Sequence, residues 1–494
     1  MTVDIARRLY SAAQSRELDR RAIEEQGIAG DTLMQRAAGA AWRAARARWP
    51  QARSVAVVCG PGNNGGDGYE VARLARAEGC AVRVAAYGSA PQRGEAAAAR
   101  RAWLREGVIE DAAALAPDFL NVDLIVDGLF GSGFARAPEG MARTLIEAIN
   151  AARARGGNVL ALDLPSGLHA DTGAAPGAAV RADLTVTFIG RKFGLHTGAG
   201  VALCGEIVFD ALGVPAAIHE NLEPVAELLD AAELARVLPR RARDAHKGDH
   251  GHVLVVGGEV GLCGAALLCA RAALRSGAGL VSVATRAAHA AVLTAAQPEA
   301  MVHGVESRSE LAALIERASV IALGPGLGRG EWSRTVSEAA LEAGKPLVVD
   351  ADALNGLARQ PRRREDWILT PHPGEAARLL GVSTAVVQAD RRAAAQALRA
   401  RYGGTIVLKG AGTLVLGERL AVCPYGNPGM ATGGMGDALT GVIAALVAQK
   451  LPLESAARAG VLAHARAGDR AASEGERGLL VSDLIGALRA IVNP

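Results

Sequence analysis

Aromatic side chains make up only 3% of this 494-residue chain, too few for the aromatic-rich cores and interfaces of many β-sandwiches. Cysteine is also scarce. The six present (Cys59, Cys80, Cys204, Cys263, Cys269 and Cys423) lie mostly in apolar segments and form no CxxC pair, which argues against a disulfide framework or a cysteine zinc site. Reduced core thiols and a cytoplasmic location are the expectation. Charge of one sign is missing as well: 54 basic and 51 acidic side chains leave a formal +3, so neither nucleic acid nor an anionic membrane is expected as a partner. The apolar run 438–448 is too short to span a bilayer, and the first residues carry Asp4, Arg7 and Arg8 where a secretory signal would be apolar.

What is abundant is glycine, alanine and short apolar runs. After two helical patterns within residues 1–50, SVAVVCG, CAVRVAAYG, VDLIVDGLFG, NVLALDLPSG, DLTVTFIG and GEIVFDALG follow one another, separated by helix-length stretches. Continuous apolar runs of this kind suit strands buried on both faces of a parallel sheet. The same grammar restarts at GHVLVVGG (251–258) and continues to GTIVLKGAGTLV. Between the two series, residues 214–249 have prolines, mixed charge and no run that reads as a buried strand. The fold class is therefore α/β with two domains, residues 1–222 and 223–494.

In the first domain CGPGNNGGDGYEVARLA follows a strand and opens a helix, a place where backbone N–H groups can hold an anion. Gly60, Gly62 and Gly65 satisfy GxGxxG, yet the next strand lacks the acidic residue that would hold a ribose hydroxyl, so a dinucleotide dehydrogenase is disfavoured. A tight turn alone would explain the glycines. Asp127, and Asp163 with Ser166, end two further strands, and in a parallel sheet all three ends meet on one edge. Each aspartate could equally cap its own loop. Convergence favours a site.

GPGNNGGDG, with LMQRAAGAA, VDGLFGSGF and LDLPSG, resembles the NAD(P)H-hydrate epimerases over residues 10–220. The resemblance implies a Rossmann-like three-layer sandwich in which Asn63, Asn64, Gly65, Gly66 and Asp67 bind the hydrated cofactor. It also implies potassium near Asn64, Asp127 and Ser166. A loop of Gly131, Ser132, Gly133, Phe134, Ala135, Arg136 and Ala137 would embrace phosphates or ribose, and Asp163 would touch the reacting hydrate as acid or base.

In the second domain Gly433, Gly434 and Gly436 precede a long apolar helix, so N–H groups and helix dipole can stabilise a transferring phosphoryl group, with Asp437 in the first turn as proton acceptor. A lone Gly-Asp would more often be a helix cap. No Walker motif is present. Together LGPGLGR, TPHPGE, KGAGT and GNPGMATGGMGD resemble the ADP-dependent NAD(P)H-hydrate dehydratases of the ribokinase-like superfamily, over residues 240–490. The resemblance implies that Lys409, Gly410, Ala411, Gly412, Thr413 and Gly436 bind the adenine nucleotide, with Mg2+ on ADP. Ala265, Gly326, His372 and Asp437 would face the hydrate. His372 could instead be a neutral donor in its proline-rich turn, and the trio His246, His250 and His252 reads as a polar lead into a strand rather than a metal cluster.

The expected activity is repair of hydrated nicotinamide cofactors: epimerisation of R- and S-NADHX or NADPHX, then ADP-dependent dehydration of the S form. The small-molecule partners are these hydrates and ADP, and a homo-oligomer is expected. Two other readings stay open: a vitamin-precursor kinase in the C-terminal half, and a non-catalytic nucleotide sensor or scaffold in the N-terminal half.

Overall fold

The computed structural model describes residues 5–115, 118–134 and 136–494. Two compact units meet in sequence between Glu227 and Leu228, inside the charged connecting stretch. None of the helices among the described residues is long and apolar enough to cross a membrane.

The first unit begins with β1 (Arg8–Tyr10), α1 (Ala12–Glu24) and α2 (Gly30–Arg48). The first helix thus starts later than the apolar spacing suggests. Ser11 Oγ accepts from Gln14 N at 3.1 Å and Gln14 Oε1 accepts from Ser11 N at 3.1 Å, a capping box that fixes the start. The alternation follows: β2 (Ser54–Cys59), α3 (Asn63–Ala77), β3 (Ala81–Ala86), α4 (Gly94–Leu104), β4 (Glu110–Asp111), β5 (Leu124–Gly128), α5 (Gly140–Ala154) and β6 (Asn158–Leu162). The unit continues with β7 (Leu184–Phe188), β8 (Arg191–Lys192), α6 (Gly200–Leu203) and β9 (Glu206–Asp210), and ends within β10 (Ala226–Leu228). Residues 8–10 pair parallel with β8 and antiparallel with β10. This corrects the expectation that the connecting stretch holds no buried strand, since Ala226 and Leu228 are both buried. A three-residue strand is too short to show a period of its own.

The main sheet of this unit has the order β4-β3-β2-β5-β6-β7-β9, and all of its pairings are parallel. Val55 and Val57 enter one apolar cluster, while Ala56 and Val58 enter another on the opposite face. Both faces are covered, which is why the strands read as unbroken apolar runs. From β2 the chain winds outward to β4 and then returns to β5 on the other side of β2, so the sheet has a crevice at the carboxyl ends of β2 and β5.

In the second unit α7 (Ala232–Val237) leads to β11 (His252–Val256), α8 (Cys263–Arg275), β12 (Leu280–Thr285), α9 (Ala290–Ala296), β13 (Met301–Gly304), α10 (Arg308–Arg317) and β14 (Val320–Leu323). Next come α11 (Glu331–Leu341), β15 (Leu347–Val349), α12 (Ala351–Arg359), β16 (Trp367–Leu369), α13 (Pro373–Leu380), α14 (Thr384–Ala389) and α15 (Arg391–Tyr402). The GTIVLKGAGTLV run resolves into two strands, β17 (Thr405–Leu408) and β18 (Thr413–Leu416), antiparallel across a KGAG turn. The unit ends with β19 (Leu420–Cys423), α16 (Met435–Ala448), α17 (Leu453–Ala471) and α18 (Val481–Ile491). Its strands run β13-β12-β11-β14-β15-β16-β17-β18-β19, parallel up to β17.

The apolar run in α16 is buried on nearly all sides, so it is a core helix. Its closest crossing is with α8, where a Cβ on Gly441 would lie 2.1 Å from the carbonyl oxygen of Cys269. Gly441→Ala is therefore expected to destabilise the C-terminal unit by about 1–3 kcal/mol through overpacking. A thermal unfolding transition of that unit at the parental temperature would show that the crossing is looser than described.

Candidate functional site

In the N-terminal unit the ends of β2, β5, β6 and β7 open onto a cavity of about 830 Å3 bordered by Asn63, Asn64 and Asp67, by Gly131, Ser132, Gly133 and Phe134, by Arg136 and Ala137, and by Asp163. Ala135 lies outside the described residues. Gly65 and Gly66 sit in the first turn of α3 behind this loop. A Cβ on Gly65 would fall 2.0 Å from the oxygen of Gly60, so only glycine lets the loop fold back on the end of its own strand.

Asp127 is wholly buried where β5 ends. It accepts from Ser166 Oγ at 2.6 Å, Ser166 N at 2.8 Å and Leu129 N at 3.2 Å. Ser166 Oγ in turn accepts from Phe130 N at 2.9 Å. Burial pushes the Asp127 carboxyl up to about 6, against the pull of these donors. The bond to Leu129 N is the capping bond weighed from sequence; the two from Ser166 tie separate strand ends together. Beside them the Asn64 side chain is buried with neither its oxygen nor its nitrogen hydrogen-bonded. Such an orphan amide is costly unless something fills the space in front of it.

Asp163 takes a left-handed backbone, φ 65, with its N–H donated to Val186 O at 2.8 Å. Its carboxylate is ion-paired with the buried Lys192 ammonium and accepts from Thr187 Oγ1 at 3.2 Å. Two further groups on this wall escaped the sequence reading, Lys192 and Asp19 of α1. Desolvation raises Asp19 to about 6, with Asp163 adding and Lys192 opposing. Asp67 is likewise driven above the carboxylate range by burial first and by Asp163 and Asp19 next. Phe130 and Phe134 stack with centroids 4.0 Å apart, an apolar wall for a planar ring.

In the C-terminal unit, consecutive strand ends of β15, β16 and β17 deliver Asp350, His372 and Lys409. Lys409 Nζ lies 2.6 Å from Asp350 Oδ1 and 3.8 Å from Glu375 Oε2. The other Asp350 oxygen accepts from Thr440 Oγ1 of α16 at 2.9 Å. Burial alone would raise Asp350; the Lys409 ammonium and the Thr370 and Thr440 hydroxyls outweigh it and hold the carboxyl below its usual range. A Cβ on Gly436 would stand 3.2 Å from Lys409 Nζ and 3.3 Å from Asp350 Oδ2, so the ion pair abuts the helix start. Gly434, φ 90, caps that helix without a side-chain bond, leaving its first N–H groups for a ligand. Asp437 in the first turn is pushed up to about 7 by burial and then by Asp350.

His372 caps α13: its Nδ1 accepts from Gly374 N at 2.9 Å, while Glu375 Oε2 accepts from His372 N at 2.8 Å. Burial, then the Lys409 charge, keeps the imidazole below its ordinary value. Desolvation raises Glu375 to about 7. The turn of Gly410, Ala411 and Gly412 is held by buried Arg391, whose Nη2 donates to the oxygens of Leu408 at 3.1 Å and Lys409 at 3.2 Å, and Thr413 Oγ1 donates to Gly410 O at 2.9 Å. Gly326, φ 58, packs its loop against α8, where an added Cβ would lie 3.1 Å from Ala265 Cβ. His246, His250 and His252 do not converge: His246 is exposed, and His252 Nε2 contacts Ser282 Oγ inside the sheet at 2.8 Å. Asp350 was within reach of sequence reasoning, because it ends PLVVD as Asp127 ends VDLIVD. Arg391 and Thr440 carry no such signal.

A family model described as NAD(P)H-hydrate dehydratase matches residues 253–489, and one described as YjeF-related protein N-terminus matches residues 30–194. The bifunctional NAD(P)H-hydrate repair enzyme of Coxiella burnetii is 49% identical over 489 residues, covering 98% of this chain and 99% of that protein. The enzyme of the same name from Escherichia coli K12 is 45% identical over 497 residues, covering 100% and 95%. A ribokinase-like superfamily protein of Enterococcus faecalis has a similar structure, with a TM-score of 0.51 and 32% identity over 54% of this chain and 95% of its own. Matched from end to end by such relatives, and carrying both family segments in order, the chain belongs to the bifunctional NAD(P)H-hydrate repair enzymes, an epimerase followed by a dehydratase.

Proposed function

We propose that the N-terminal cavity interconverts the R and S hydrates of NADH and NADPH, and that the C-terminal unit dehydrates the S form with ADP. The observation that carries the second half is the start of α16: open N–H groups, an abutting Lys409–Asp350 pair and the Asp437 carboxyl occur together. Asp437 takes the proton of the ring hydroxyl as that oxygen bonds to the β-phosphorus of ADP and the bond to AMP breaks. The helix N-terminus receives the negative charge that develops on the phosphoryl oxygens. The phosphorylated hydrate then loses a neighbouring proton and phosphate, which restores the dihydropyridine. Lys409, Gly410, Ala411, Gly412, Thr413 and Gly436 hold the nucleotide, while Ala265, Gly326 and His372 face the hydrate. Mg2+ carried by ADP supplies charge neutralisation; among the described residues no cluster of three His, Cys, Asp or Glu side chains could hold an ion alone.

In the epimerase, Asn63, Asn64, Gly65, Gly66 and Asp67 with the 131–137 loop bind the substrate, and Asp163 exchanges protons with it. The donor set of Asn64, Asp127 and Ser166 is all oxygen with one carboxylate, and the unpartnered Asn64 amide is what a weakly hydrated cation would complete. K+ held there would fix a positive charge beneath the substrate loop.

Incubating purified protein with both NADHX epimers, ADP and Mg2+ tests the whole reading. NADH absorbance should return beyond the amount of S epimer supplied, and accumulation of a stable phosphorylated product would overturn it. Asp437→Asn should lower dehydration by about 10²–10⁴-fold and leave epimerisation intact. Because only the carboxylate form accepts a proton, dehydration should rise as pH climbs through about 7 and then level off. A rate that falls over the same interval would remove Asp437 as base.

Asn64→Leu replaces the orphan amide with an apolar group of similar size. In K+-free buffer it should stabilise the N-terminal unit by about 1 kcal/mol or more while abolishing epimerisation and any response of that unit's melting to K+. Loss of stability would show that the amide is satisfied in the free protein. Asp127→Ala should depress epimerisation and spare dehydration of the S epimer, measured on separated hydrates; equal loss of both activities would show that the two units are not independent.

A further inference from the structure

The epimerase reading leaves Lys192 and Asp19 without a role, although both border the cavity. Lys192 is only 2% exposed, and besides its ion pair with Asp163 its Nζ donates to Phe188 O at 3.2 Å. A buried ammonium persists only where a carboxylate and hydrogen bonds answer it, so this pair is a fixed part of the wall. Thr187 Oγ1 donates to the same Asp163 oxygen, which fixes the carboxylate from a second side. Asp19 differs. It borders the same cavity from α1, and among the described residues its carboxyl has no hydrogen-bond or ion-pair partner.

The chemistry of the substrate asks for two such groups. Water adds to an enamine with its oxygen on the ring carbon next to nitrogen, so the hydrate is a carbinolamine whose stereocentre bears the hydroxyl. Inversion needs that carbon to become planar. The hydroxyl takes a proton from an acid and leaves as water, while the nitrogen lone pair forms the C=N bond of an iminium ion. Water then adds to the other face and gives a proton to a base. One C–O bond breaks and one forms, one proton is delivered and one collected, and water is the sole co-reactant.

We propose, resting on the epimerase reading of this cavity, that Asp19 and Asp163 are the acid and the base, and that Lys192 is a positioning residue that holds the Asp163 side chain aimed at the ring. In the reverse direction the two carboxyls exchange roles, and solvent in the open cavity resets the proton. Asp19 is an exposed residue of α1 whose carboxyl is desolvated where it borders the cavity; this raises it to about 6 and suits a group that must both give and regain a proton near neutrality. The carboxylates of this wall also face the positive charge of the iminium ion.

The test uses the full-length protein, separated R and S hydrates of NADH, no ADP, and water enriched in 18O, with epimers and label followed by chromatography and mass spectrometry. The parent should introduce one 18O at the hydroxyl per inversion. Lys192→Met should lower kcat for epimerisation by about 10²-fold with KM little changed, Lys192→Arg should recover part of the loss, and Asp19→Asn should match Lys192→Met. The double variant Lys192→Met with Asp163→Asn removes both charges and strands neither; it should melt like the parent and remain inactive. Near-parental epimerisation by that variant would give the pair a purely structural role and overturn the proposal. Full activity of Asp19→Asn, or inversion that outruns label entry, would overturn it too. A parent protein that leaves the R hydrate unchanged would bring down the epimerase reading itself, before any substitution is made.

Discussion

A carboxylate buried at the end of a β-strand has to be met by every donor within reach, and each unit of this chain is organised around one. Asp127 collects three donors from the loops after β5 and β6. Asp350 collects the Lys409 ammonium from the end of β17 and the Thr440 hydroxyl from α16. Leaving one such group uncompensated would cost several kcal/mol, a large part of the stability of a domain. The loops are therefore held in register by the charge they surround. In the first unit this fixes Phe130 and Ser166 beside the turn that opens α3; in the second it seats the start of α16 against Lys409.

The two halves solve different chemical problems with one topology. Both sheets wind outward, return past their first strand and present their strand ends to a crevice. Epimerisation needs protons moved on either face of a small ring, and the first unit supplies an open, carboxyl-rich cavity. Phosphoryl transfer needs fixed dipoles and one base, and the second unit supplies a glycine-capped helix with Asp437 in its first turn. A dehydratase confined to one epimer would strand the other, so the pairing of activities in one chain follows from the stereochemistry of the damage.

Much of this was legible in the sequence. The apolar runs named the buried strands because both sheet faces are covered, and the glycine loops named the turns that gather at one sheet edge because backbone must approach backbone there. Asp127, Asp163 and Ser166 were found by the simple rule that polar residues ending parallel strands share an edge. The same rule applied to PLVVD would have found Asp350. Lys192, Asp19 and Arg391 were illegible for a different reason. Lys192 and Arg391 bond to partners at least 17 positions away, and Asp19 feels the charges of Asp163 and Lys192, neighbours that only the folded chain creates. Strands β1 and β10 were missed because three residues have no period, and their partners are distant in sequence.

Asp163 sits in a left-handed backbone conformation, which few residues besides glycine, asparagine and aspartate hold without strain. Glutamate would keep the charge but strain the turn, whereas asparagine would keep the turn but lose the charge. In coding terms asparagine is a single transition away from aspartate. The easiest mutational exit from this position therefore keeps the turn yet strands the buried Lys192 ammonium without its counter-charge, so its first symptom is a less stable N-terminal unit and a lower abundance of the whole chain.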